Sequence, residues 1–228
     1  MPERLEPNAV LFPRLAENNR MVAVSSLYEN VVVLHVGFDV YATIIAQTGN
    51  GPSPRAAYDG EYLELMSPST DHERCKLLLD TLIIQLGIEW ALDIEPTGSM
   101  TLIAQPHGAE PDSSFYVDNA AFRLEATDLD LSIDPPPDIV VEIDLSRTRI
   151  DKQAIYATIG VPEFWRFDGK SLRAFERVGG IYAEVARSAK LSGLPIATLA
   201  AYLDQRSRTR RPELIAAWQS WLRENRPQ

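Results

Sequence analysis

Asp138-Ile139-Val140-Val141-Glu142-Ile143-Asp144-Leu145 is the run on which the reading of this chain turns. Its β-branched density makes it the strongest strand signal in the sequence. Side chains alternate across a strand, so Ile139, Val141, Ile143 and Leu145 share one wholly apolar face that must be packed. Asp138, Val140, Glu142 and Asp144 share the other. Like charges so close to a buried layer are costly unless a cation, a basic partner or exposure at the strand end compensates them. The plainer alternative is that Glu142 and Asp144 sit on a solvent-exposed face and do nothing.

Working outward, a helix is expected over Asp151–Ile159, ended by Gly160-Val161-Pro162. Glu163–Phe167, Ser171–Arg177 and Ile181–Arg187 read as strands, and 195–204 and 213–224 as helices. The last carries an apolar stripe of Leu214, Ala217, Trp218, Trp221 and Leu222, preceded by the basic stretch Arg206 to Arg211. Upstream of Pro135-Pro136-Pro137 and an acidic polar loop, Pro111–Val117 and Gly98–Ala104 read as strands. Cys75, Leu78, Leu79, Leu82, Ile83, Leu86 and Trp90 recur at helical spacing, which predicts a helix over His72–Asp93 with Asp71 as N-cap. Tyr62–Met66 and Val31–Val36 read as strands, Phe38–Thr48 as a helix, and Gly49–Pro54 as a breaker tract. The order predicts one α/β domain: a mixed central sheet flanked by helices.

The bulk numbers narrow the function. A chain of 228 residues, 45% hydrophobic, can bury one sizeable core. There is no apolar run long enough for a membrane span, and the first residues lack the layout of a secretory signal. A single cysteine, Cys75, excludes an internal disulfide and any cysteine-based zinc site. Together these place the chain in a reducing cytoplasm. A net charge of −10 argues against a simple nucleic-acid-binding module. It does not exclude a metal nuclease, whose bound cations neutralise part of the acid.

A second acid cluster, Glu110-Pro111-Asp112, places Asp112 at the start of a strand about 30 residues before Glu142. A hard cation such as Mg²⁺ takes one or two carboxylates and keeps water and substrate phosphate for its remaining positions, which Asp112 and Glu142 satisfy from neighbouring strands. Asp112 also reads simply as a turn former after Pro111. Lys152 opens the helix after the Glu142 strand, where the helix dipole disfavours a cation. Beside a metal-bound phosphate it would orient or deprotonate water and offset developing charge. Arg147 and Arg149 lie in the loop between and would meet phosphate.

Four ordered blocks carry a resemblance. They are Tyr58-Asp59-Gly60 with Leu63-Glu64-Leu65-Met66-Ser67-Pro68-Ser69 and His72-Glu73-Arg74; Glu110 to Tyr116; Asp134 to Asp144; and Asp151-Lys152 through Ile155-Tyr156-Ala157 to Gly160-Val161-Pro162-Glu163-Phe164-Trp165-Arg166. Together they resemble the Uma-type restriction endonuclease family, similar in fold to the PD-(D/E)XK nucleases that cut phosphodiester bonds with Mg²⁺. The resemblance covers roughly residues 30–204. It leaves an N-terminal arm, 1–29, and a basic linker with an amphipathic helix, 205–228, outside the nuclease-like domain.

By that resemblance Asp112 matches the motif's first acid and Glu142 its second. The motif's lysine position holds Asp144. Either Lys152 supplies the ammonium from the following helix, which the resemblance favours, or Asp144 serves as an extra acid, or the site is inactive. An acid on the first core helix often completes such sites. Glu73 is the candidate by position, and Glu64 on the preceding strand is another. His72 reads as a site residue facing nucleic acid or as a helix cap.

The sequence therefore implies a Mg²⁺- or Mn²⁺-dependent DNA endonuclease, a homodimer by analogy with enzymes that cut both strands. Its rival is a catalytically inactive nuclease-fold module that binds a partner.

Overall fold

The computed structural model describes residues 21–25, 30–48, 54–125, 129–145 and 150–227. In chain order, β1 (Met21–Ser25), β2 (Asn30–His35), α1 (Phe38–Thr48), β3 (Arg55–Tyr58) and β4 (Tyr62–Ser67) lead into the long α2 (Thr70–Trp90). The short strands β5 (Glu95–Pro96), β6 (Leu102–Ala104) and β7 (His107–Ala109) precede β8 (Ser113–Tyr116), α3 (Ala120–Glu125) and β9 (Ile139–Ile143). Then come α4 (Lys152–Ile159), β10 (Glu163–Phe167), β11 (Leu172–Val178), β12 (Ile181–Val185), β13 (Arg187–Ser188) and β14 (Leu194–Pro195). The chain closes with α5 (Ile196–Asp204) and α6 (Arg211–Glu224).

The mixed sheet expected from the sequence has the order β12-β11-β10-β9-β8-β5. Only β9 and β10 run parallel, joined through α4; β9 pairs antiparallel with β8. The alternation along β9 sorts its two faces as expected. Ile139, Val141 and Ile143, with Trp165 and Phe167 from β10, pack on the α2, α5 and α6 side. Val140 and Phe164 face the other way, onto Ile155 and Tyr156 of α4. All five residues of β9 are buried, so the exposed-face alternative for Glu142 fails.

The structure adds a second sheet, antiparallel throughout, in the order β1-β2-β4-β3-β7-β6. It covers α4 through Ala57, Leu102 and Ala109. Its strands β3 and β7 are short and poor in β-branched residues, which hides them from a reading based on alternation.

Helix termini follow local chemistry. The cap of α2 is Ser69, not the expected Asp71: Ser69 is extended and its hydroxyl accepts the His72 amide at 3.2 Å. Asp71 falls instead in the first turn, where its charge suits the helix dipole. Asp151 caps α4, accepting from the Ala154 amide, and Gly160 ends it at φ 96°, a left-handed conformation that favours glycine. The terminal α6 packs on the molecule's own core. Trp218 Nε1 donates to the Leu82 carbonyl at 2.8 Å, and Trp90 Nε1 to that of Leu222 at 2.9 Å. Among the described residues no helix is long and apolar enough to cross a membrane.

Candidate active site

The C-terminal end of β9, the start of β8 and the first turns of α2 and α4 converge on two buried carboxylates. β8 and β9 are in register from Phe115↔Ile139 to Ser113↔Val141. One step further along, Asp112 comes opposite Glu142, on the face that Ser114 and Val140 share. Asp112 extends the ladder with its side chain. Its amide donates to the Val141 carbonyl at 3.0 Å, and its Oδ2 accepts the Ile143 amide at 2.7 Å. The acid is thereby fixed to the strand it faces.

The other oxygen of Asp112 is surrounded by basic groups. His72 Nε2, from the first turn of α2, lies 2.9 Å from Oδ1, and Arg55 Nε, from the start of β3, lies 3.2 Å away. The Arg55 Nε–H is not aligned for a hydrogen bond, so that contact is an ion pair only. Arg55 also donates to the Pro111 carbonyl at 3.1 Å and to Glu73 at 3.1 Å. Burial opposes ionisation of Asp112, but the His72 hydrogen bond, with the charges of His72, Arg55 and Lys152, outweighs it. The carboxyl is held below the usual range.

Glu142 draws both its partners from α4. Lys152 Nζ donates to Oε2 at 2.7 Å, and Tyr156 Oη donates to Oε1 at 2.5 Å. Lys152 and Tyr156 stand one turn apart and so share a helix face. Here burial wins. Desolvation, with the charges of Asp112 and Asp144, pushes Glu142 up to about 7 despite the opposing Lys152. Lys152 moves the opposite way from an isolated buried amine. Its own desolvation is overcome by Glu142, Asp144 and Asp112, which hold it protonated. Tyr156 is raised by burial and by the adjacent Glu142 charge.

The remaining sequence candidates divide. Asp144 pairs with Arg166 at 2.7 Å, and its charge acts on Glu142 and Lys152. His72, expected to face nucleic acid, is completely buried on Asp112 and has a positioning contact instead. Glu73 reaches the site only by sharing Arg55. Glu64 is buried on β4, opposite Ala57 of β3. Among the described residues, no group of three or more His, Cys, Asp or Glu side chains is disposed to hold a metal ion, so Glu73 and Glu64 are not gathered with Asp112 and Glu142 into one ligand set. Arg147 and Arg149 lie outside the described residues.

Two residues of the site escaped the sequence reading. Tyr156 carried a signal, its i+4 spacing from Lys152. Arg55 carried none, since it directly follows the breaker tract and meets Asp112 only through the tertiary fold.

The Asp112–Glu142 pair fits a hard divalent cation. Both are carboxylates on facing strands, and each of their oxygens has two lone pairs, of which the protein donors described use only part. In the structure those carboxylates are partnered by Lys152, Arg55 and His72.

The Uma2 family model, described as "Putative restriction endonuclease", matches residues 41–205. No curated protein matches the chain. Among solved structures, the chain is similar to a "putative nuclease" of the DUF820 family from Anabaena variabilis. The TM-score is 0.52 and the identity 15%, over 74% of this chain and 99% of that one. At that identity the likeness shows the fold alone, and the fold is nuclease-like.

Proposed function

The chain belongs to the Uma2 family of restriction-endonuclease-like proteins, and from that membership and the buried carboxylate pair we propose that it is a metal-dependent endonuclease hydrolysing phosphodiester bonds in DNA. The observation that carries the reading is the opposition of Asp112 and Glu142 across β8 and β9, with Lys152 donating to Glu142 at 2.7 Å.

Asp112 and Glu142 would hold Mg²⁺ or Mn²⁺, which when bound supplies Lewis-acid polarisation of the scissile phosphate and a water of lowered pKa. Asp112 enters that task already ionised, because His72 and Arg55 stabilise its charge. Glu142 joins it by releasing a proton near pH 7. Lys152 stays an ammonium and so serves as a donor, orienting water and offsetting charge on the phosphate, rather than as a base. It does from α4 what the motif's lysine does from the strand. Asp144 pairs with Arg166 and adds its charge to those acting on Glu142 and Lys152.

The test is incubation of the purified full chain with plasmid DNA and Mg²⁺ or Mn²⁺, beside a chelated control and Asp112→Asn. Metal-dependent nicking that Asp112→Asn abolishes supports the reading. No nicking of any DNA with either metal counts against it.

One observation favours a second reading, a nuclease-fold module that binds a partner without cutting. Both acids are completely buried and hold protein donors at each of their oxygens. Calorimetry with Mn²⁺ separates the two, because only the nuclease must bind it.

A further inference from the structure

Beyond the last residue matched by the family model the chain turns basic, and the structure gathers that stretch into a cleft. A cleft of about 390 Å³ is lined by Asp71, Arg74 and Cys75 of α2, by Leu145, by Asp168-Gly169-Lys170, and by Arg206, Ser207 and Arg211. A second hollow continues it along Arg208, Thr209 and Arg210. The cleft lies at the C-terminal edge of the mixed sheet that also carries the acid pair, on the opposite face of β9: Leu145 follows β9 on the side of Ile143, and Asp168-Gly169-Lys170 follow its parallel neighbour β10.

Six cations, Arg74, Lys170, Arg206, Arg208, Arg210 and Arg211, line the two hollows against two carboxylates, Asp71 and Asp168. This stands out in a chain whose net charge is −10. The walls are built rather than incidental. Arg206 donates to the Gly169 carbonyl at 2.8 Å and to that of Leu203 at 3.1 Å, and its guanidinium lies 5.2 Å from the Phe167 ring centre. Arg211 donates to the Arg74 carbonyl at 3.2 Å. The other arginines have only loose, exposed partners: Asp71 with Arg74 at 3.7 Å, Asp204 with Arg208 at 3.8 Å, and Glu213 with Arg210 at 3.5 Å. Such exposed pairs are weak, so a polyanion displaces them at little cost.

We propose that this cleft binds the phosphate backbone of the nucleic acid. The proposal rests on the nuclease reading for its choice of ligand. An acidic protein needs a local positive track to receive a polyanion, and cations spaced along a groove match a repeating phosphate rather than a single anion.

The test is fluorescence anisotropy of a labelled DNA duplex of about 20 base pairs with the full chain, in chelator, from about 50 to about 200 mM salt. The triple variant Arg208→Gln/Arg210→Gln/Arg211→Gln is expected to bind at least about tenfold more weakly. Its plot of log affinity against log salt should flatten by about 2–3, at roughly 0.9 for each phosphate no longer neutralised. Lys170→Gln alone flattens it by about one. Arg173→Gln, on β11 and paired with Glu184, leaves both quantities unchanged. An unaltered melting temperature shows that the triple variant is folded, and Lys170→Gln reports on the cleft if it is not. Wild-type affinity and slope in the triple variant overturn the proposal, as does failure of the wild type to bind DNA. If the wild type cuts DNA but the triple variant binds normally, the cleft falls and the nuclease stands. If the wild type binds through the cleft but never cuts, the reverse holds.

Discussion

The two ends of β9 each carry a pair of buried carboxylates, and they are held in different ways. At the N-terminal end, Asp138 accepts the amides of Val117 and Asn119 at 2.8 and 3.3 Å, and Glu163 accepts the Lys190 amide at 2.9 Å. Glu163 also takes the Trp165 indole at 2.9 Å and the Ser188 hydroxyl at 2.8 Å. Apart from the Lys190 ammonium, 3.4 Å from Asp138, these donors are neutral. They pin the turns around α3 and the β13–β14 hairpin. At the C-terminal end, Asp112 and Glu142 are as deeply buried, but their partners are mostly side chains arriving from α2, β3 and α4, with the cations Arg55 and Lys152 among them. Burial of an acid therefore does not distinguish the two ends. The kind of partner does, because backbone amides are fixed while side-chain cations can share their carboxylate with a ligand.

The largest expected contrast comes from the same substitution at each end. Glu142→Gln should lower DNA cleavage by at least about a hundredfold, the scale of removing one electrostatic stabiliser of a transition state. Glu163→Gln should leave cleavage per folded molecule unchanged within about threefold. It should instead lower the melting temperature by roughly 3–10 °C, the effect of about 1–3 kcal/mol in a chain of this size. Loss of cleavage at both ends would erase the distinction.

A smaller effect separates the ends by pH. Glu142 binds its proton more tightly when folded than at its ordinary value of 4.5, so wild-type stability should fall as pH rises from 4.5 to about 7, then level off. In Lys152→Met the missing ammonium raises Glu142 further and extends that fall to higher pH. Urea denaturation should show little damage at about pH 6, where the carboxyl is protonated, and up to about 3–5 kcal/mol by about pH 8. An equal loss at both pH values would mean that Glu142 is ionised throughout.

The smallest effect is that of Tyr156→Phe. Removing the phenol that donates to the ionised Glu142 should move the midpoint of the pH–cleavage profile upward by less than about one unit, consistent with one hydrogen bond of about 1 kcal/mol. A downward shift would contradict the assigned direction of that bond.

What the sequence made legible was local. The period of two in Asp138–Leu145 gave the strand, its buried face and the direction of Glu142, and Lys152 was exposed by a charge set against a helix dipole. Partners from distant segments were less legible: His72 was a candidate without an assigned partner, and Arg55 reaches Asp112 only through the tertiary fold. The second sheet was hidden for the same reason, since β3 and β7 are too short to show a period and pair only through the fold. Asp138 and Glu142 look alike in sequence, and only their donors tell them apart.

On the proposed nuclease reading, Asp112 and Glu142 share a divalent cation. The direct measurement is a Mn²⁺ soak of crystals of the full chain, with anomalous scattering recorded at the metal edge. The expected result is a peak in contact with both carboxylates, with the Lys152 ammonium withdrawn from Glu142 Oε2. No peak between them at millimolar Mn²⁺ and neutral to alkaline pH, with the Lys152–Glu142 pair intact, would contradict it.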